Sequence, residues 1–187
     1  MAPRTGSERI DQMSPEALDR LFELVMWQGG TQSQHRRLAD ALAMAGDRQR
    51  LSEHGRAHVN ALLEGFERPD KAVETAAALL ARDPLFCLGD TESMYRLVRA
   101  SLRHGYPALT IRLAGNYLDS FPRSLKCNEL RLIACEAAFA GGRDERRMAA
   151  DWLIELIGAS LTADQRSRLK RIVPAFHVEG LIRRDPD

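Results

Sequence analysis

Residues 91–122 read TESMYRLVRASLRHGYPALTIRLAGNYLDSFP, from Thr91 to Pro122. Met94, Leu97, Val98 and Ser101 recur at three- and four-residue steps, which puts them on one stripe of an α-helix. Asp90 or Thr91 can cap the start, since a short side-chain oxygen accepts a hydrogen bond from an unpaired first-turn amide. His104-Gly105-Tyr106-Pro107 breaks the pattern, and a second helical stretch then runs to Phe121-Pro122. Glycine and proline stop helices for different reasons: glycine is too free, and proline lacks the amide donor. The segment therefore reads as a helical hairpin, 91–103 followed by 107–120.

The same punctuation recurs along the chain. Breakers at Gly29-Gly30, Arg68-Pro69-Asp70, Gly105 and Gly141-Gly142 are spaced by 39, 37 and 36 residues. A second series, Gly46, Asp83-Pro84, Phe121-Pro122 and Gly158, is spaced by 38, 38 and 36. Two interleaved series with a common period imply a repeated helix–turn–helix unit. They predict helices over 14–28, 32–45, 52–66, 70–82, 91–103, 107–120, 126–140 and 144–157, with a ninth at 162–173. Ser14-Pro15-Glu16 opens the first well, Asp144 and Thr162 can open later ones, and period-two runs of β-branched residues are missing. Apolar stripes recur at Leu18, Leu21, Phe22 and Val25, at Leu38, Ala41, Leu42 and Ala45, and at Leu130, Ile133, Ala134 and Ala137. The third helix fits least, because His54, Gly55, Arg56, His58 and Asn60 dilute its stripe. The expected organisation is a polar leader over 1–13, one helical domain over 14–176 and a polar tail over 177–187.

Composition bounds the function classes. The 187 residues carry 27 Lys and Arg against 26 Asp and Glu, a formal charge of +1, so no strongly basic nucleic-acid surface is indicated overall. No apolar run approaches the ~18–20 residues that span a bilayer, and Met1–Arg9 has no apolar core of the secretory kind. Cys87, Cys127 and Cys135 contain no C-x-x-C pair and read as small apolar residues packed in helices. The expectation is a cytoplasmic protein without disulfides.

The segment Ala72-Val-Glu-Thr-Ala76-Ala-Ala-Leu79-Leu80-Ala-Arg-Asp83-Pro84 resembles the second helix of a tetratricopeptide repeat (TPR), with its alanines, leucine pair and closing proline. Leu118 and Pro122 repeat that ending one unit later, and Gly105 stands where the family often has its inter-helix glycine. The resemblance covers residues 14–158 as four units, somewhat longer than the usual ~34 residues. It implies an all-α, right-handed α-solenoid of about four TPR-like units plus a C-terminal capping helix. It also implies a concave wall lined by the first helix of each unit. The wall positions it marks are Glu16, Asp19 and Glu23, then Tyr95, Arg99 and Arg103, then Asn128 and Arg131. Such a groove is acidic at one end and arginine-rich toward the other. Arginine's planar fork suits a carboxylate, and Tyr95 offers a stacking face. The function the resemblance implies is a non-catalytic adaptor, scaffold or chaperone-like module holding a peptide segment of another protein, as small bacterial proteins of this kind do.

Catalytic constellations are scarce. G-x-S-x-G, P-loop and G-x-G-x-x-G patterns are missing, and no cofactor is expected. His54 and His58 fall four apart, on one face of a helix, but Glu53 precedes His54, so the pattern is not H-E-x-x-H. His35, His104 and His177 are scattered, no third ligand is evident, and the pair reads as solvated. No metal is expected. Arg166, Arg168, Lys170 and Arg171, with Arg183-Arg184 beyond, give the last helix a basic face, and Leu169, Ile172 and Phe176 give it an apolar one. This fits a solenoid cap. Three alternatives remain open: self-association into a homodimer, a regulatory contact with nucleic acid through that helix, and a metal-dependent enzyme using His54 and His58.

Overall fold

A computed structural model describes residues 13–182. Among these the chain is all α-helical: α1 (Pro15–Gln28), α2 (Gln32–Ala45), α3 (Arg48–Asn60), α4 (Pro69–Leu80), α5 (Thr91–Arg103), α6 (Pro107–Ser120), α7 (Cys127–Ala140), α8 (Arg143–Ile157) and α9 (Ala163–Val178). A π-helical turn, Ala61–Gly65, continues α3. No described helix is long and apolar enough to cross a membrane. All but Met13 of the expected leader over 1–13, and the Arg183-Arg184 pair of the expected tail, lie outside the described residues.

Local chemistry sets the helix starts. Ser14 accepts from the Ala17 amide at 3.2 Å, Asp47 from Arg50 at 3.0 Å and Asp90 from Ser93 at 2.8 Å. Thr31 with Gln34, and Thr162 with Gln165, form reciprocal capping boxes. Pro69 and Pro107 open α4 and α6, where a missing amide costs nothing. Most boundaries lie within two residues of the sequence reading, and three differences are informative. Asp47 starts α3 at Arg48, four residues earlier than expected. Gly142 precedes α8 and donates to Glu145 Oε2 at 2.9 Å, which leaves Asp144 inside the first turn rather than at the cap. Finally, α9 continues past residue 173 through Pro174, which is exposed, so part of the expected tail is helix. Cys127 and Cys135 are buried on α7 as expected, but Cys87 is half-buried between α4 and α5, outside any helix.

The described chain forms two compact units that divide between Glu67 and Arg68. The division separates α3 from α4, the helices that the breaker series would pair. In the first unit α1 packs on α2 and α2 on α3. Its core is Val25, Leu38 and Leu42, flanked by Leu18, Leu21, Phe22, Leu24 and Leu51. In the second unit each helix packs on the next, and α5 also meets α7, α7 meets α9 and α6 meets α8. Small residues permit that spacing: Ala134, Ala137 and Ala138 on α7, Ala114 on α6 and Ala149 on α8 are fully buried beside Leu130, Leu132 and Leu153.

Candidate functional site

The expected groove residues fall on α1 in the first unit and on α5 and α7 in the second. Glu16, Asp19 and Glu23 are exposed on α1, and Asp19 is bound to Arg50 Nη1 of α3 at 2.5 Å. On α5 the buried stripe Met94, Leu97, Val98 and Ser101 turns Tyr95, Arg99 and Arg103 outward, one turn apart. The Arg99 guanidinium lies 5.6 Å from the Tyr95 ring centre, and Lys126 Nζ, at the head of α7, lies 4.3 Å from it. Tyr95 is thus flanked by two cations. Lys126 also pairs with Glu92, which holds that carboxyl below its usual range. Among the described residues, neither Arg99 nor Arg103 forms an ion pair. Asn128 and Arg131 are differently placed: Arg131 donates to Asn128 Oδ1 at 3.3 Å and its Nε lies 2.7 Å from Glu155 of α8. Arg131 therefore serves as an α7–α8 tie rather than a free wall cation.

The basic face of α9 is divided as well. Arg166, Lys170 and Arg171 are exposed, whereas Arg168 grips Glu136 with Nε and Nη2, both at 2.8 Å, and Glu129 with Nη1 at 2.6 Å. Glu136 foremost raises the Arg168 pKa. That arginine docks α9 on α7.

The first unit holds a cluster that sequence reasoning missed. His35 of α2 and His54 of α3 are buried, at 2% and 1% exposure, and His58 is half-buried one turn beyond His54. His35 Nδ1 lies 3.0 Å from His54 Nε2. The His35 and His58 rings stack with centres 4.5 Å apart and planes within 10°, and Phe66 meets His35 edge-on at 6.2 Å. One nitrogen from each of the three rings lies within 4.8 Å of the others. The expectation of a solvated His54–His58 pair therefore does not hold, because the α2–α3 hairpin closes over both. Burial, then the neighbouring rings, pushes His54 down to about 4. Burial, His35 and Arg36 do the same for His58, again to about 4. Burial alone lowers His35. All three rings are neutral near pH 7.

A positional signal for His35 was present in the sequence. His35 stands eleven residues before Gly46 and His58 eleven after Asp47. Two antiparallel helices joined at that turn bring equidistant positions face to face. Gly46 takes φ 71°, the left-handed conformation that favours glycine, and so ends α2 sharply enough to form the hairpin.

The cysteines offer no activated thiol at Cys135, whose pKa burial pushes up to about 12. Compared with known proteins, the chain matches no family model and no curated sequence.

Proposed function

We propose that the protein is a non-catalytic interaction module, a TPR-like right-handed solenoid that holds an acidic or carboxylate-bearing peptide segment of a partner protein. The observation that supports this is the α5 face. Tyr95, Arg99 and Arg103 project at i, i+4 and i+8, over a rise of roughly 12 Å, and Lys126 extends the row from the start of α7. An extended peptide presents carboxylates at similar intervals, and Arg99 and Arg103 are both exposed and uncommitted to any described acidic residue. Tyr95 supplies a rigid apolar face beside them, the aromatic-plus-arginine composition that dominates binding hot spots. Arg131, tied to Glu155, contributes to the α7–α8 interface instead.

Selection of a displayed random-peptide library against the full chain tests this reading. Peptides enriched in Asp and Glu, with enrichment abolished by Arg99→Glu combined with Arg103→Glu, support it. Circular dichroism of that variant checks that helicity is unchanged. Selected peptides that bind wild type and variant equally, or no enrichment of acidic sequences, overturn the α5 assignment.

A further inference from the structure

We propose that His35, His54 and His58 form a binding site for one divalent transition-metal ion of the zinc class, held between α2 and α3. The site belongs to the first unit and is independent of the α5 face.

The donor set decides the metal class. Three imidazole nitrogens, with no carboxylate or thiolate in the cluster, suit borderline cations such as Zn(II), Co(II), Ni(II) and Cu(II) and disfavour Mg(II) and Ca(II), which take oxygen ligands. Zinc–nitrogen bonds of about 2.0–2.1 Å place tetrahedral ligand atoms roughly 3.3 Å apart. The His35 and His54 nitrogens, at 3.0 Å, are already near that separation. One nitrogen of each ring lies within 4.8 Å of the other two, so closure requires the nitrogens to draw in by up to about 1.5 Å and the nearly parallel His35 and His58 rings to tilt toward a common point. Two successive turns of α3 and the facing turn of α2 supply the ligands, so all three rings meet at one hairpin interface.

Two further observations point to a ligand at this cluster. His58 Nε2 is buried and has no hydrogen-bond partner. A buried neutral ring nitrogen without a partner is an unmet acceptor or donor, and such groups are uncommon unless something binds them. The short His35–His54 contact also has the form of a shared ligand position. One ring now donates its hydrogen to the other. A metal ion takes the place of that hydrogen, and the donor ring carries its proton on its other nitrogen instead, with no net change of charge on the rings. Phe66, edge-on to His35, helps exclude water from one side. With three protein nitrogens, a fourth position stays open for water. The nearby Arg36, whose field already acts on His58, opposes a dication and limits affinity.

The test uses the full chain produced without a histidine tag and stripped with a chelator. Titration with zinc alone should show one equivalent bound and a raised Tm. Cobalt(II) alone should give the visible absorption of a tetrahedral site, and magnesium alone should do neither. His58→Gln, which leaves the His35–His54 hydrogen bond in place, should abolish both zinc uptake and the cobalt spectrum. Combined His104→Gln and His177→Gln should leave both unchanged. In wild type, imidazole nitrogen NMR should show three of the five histidines shifted by zinc, a readout that stands whether or not the variants fold. Absence of stoichiometric zinc binding by wild type overturns the proposal. So does zinc binding that survives His58→Gln, or that shifts His104 or His177 in place of the cluster.

Discussion

Arg168 of α9 and Glu136 of α7 form a two-pronged ion pair, with Nε and Nη2 each 2.8 Å from a carboxylate oxygen. Both side chains are about one-fifth exposed, at 19% and 22%, so the pair is far better shielded than a surface bridge. Arg168→Met would leave Glu136 and Glu129 facing one another without a cation. We expect a loss of about 2–3 kcal/mol in unfolding free energy, between the ~1 kcal/mol or less of an exposed pair and the ~3–5 kcal/mol of breaking a fully buried one. Urea denaturation checks this. A change within about 0.5 kcal/mol would mean that the contact is decorative.

The histidine cluster predicts the acid sensitivity of the metal-free protein. His54 and His58 titrate at about 4 in the fold against 6.5 for an unburied ring. Between those values the unfolded chain binds protons that the folded chain refuses. The stabilisation is therefore complete above about pH 6.5, declines as pH falls toward about 4, and levels off below. Urea midpoints of chelator-treated protein across that window should fall, and the slope should flatten in His54→Gln. A flat wild-type profile between pH 6.5 and pH 5 would show that these rings are solvated after all.

Arg36 makes a complementary prediction for the same cluster. Its positive field lowers the His58 pKa and equally opposes a bound dication. Arg36→Gln should tighten zinc binding severalfold by competition titration, with little change in helicity. Weaker binding in that variant would mean that Arg36 supports the site through packing instead.

A buried hydroxyl pair joins α5 to α6. Ser101 Oγ and Thr110 Oγ1 are 2.9 Å apart and fully buried, and each lies 2.8 Å from a backbone carbonyl of its own neighbourhood. Ser101→Ala and Thr110→Val should each cost about 1 kcal/mol. The double substitution should cost clearly less than their sum, because neither hydroxyl is then left facing an empty partner. Additive losses in a thermal double-mutant cycle would argue against coupling.

Gly105 turns α5 into α6 at φ 77°, with nothing within 4 Å of where a Cβ would stand. Gly105→Ala should therefore destabilise by about 1 kcal/mol from backbone conformation alone, and Gly105→Asn by less. Equal effects from alanine and asparagine would point to a steric cause.

The sequence determined every described helix to within about five residues at each end, because helix formation is read from neighbours three and four positions away. Met94, Leu97, Val98 and Ser101 announce α5, and Gly105 with Pro107 ends it and opens α6. The α3 start was missed because Arg48–Leu51 is polar at its beginning, so its only signal was the Asp47 cap. The Tyr95–Arg99–Arg103 row was legible for the same local reason, since all three stand on one helix.

Tertiary structure decided which charges are free and which histidines meet. Arg131 and Arg168 look like Arg99 in the sequence, yet Glu155, Glu129 and Glu136 on neighbouring helices claim them. His35 meets His54 across 19 residues only because the Gly46 turn and the packing of Leu38 and Leu42 fix the register of α2 against α3. One residue on a helix is rotated about 100° from the next, so a shift of one position in that register would disperse the cluster. Local periodicity carries no record of that register, which depends on how two apolar stripes interlock.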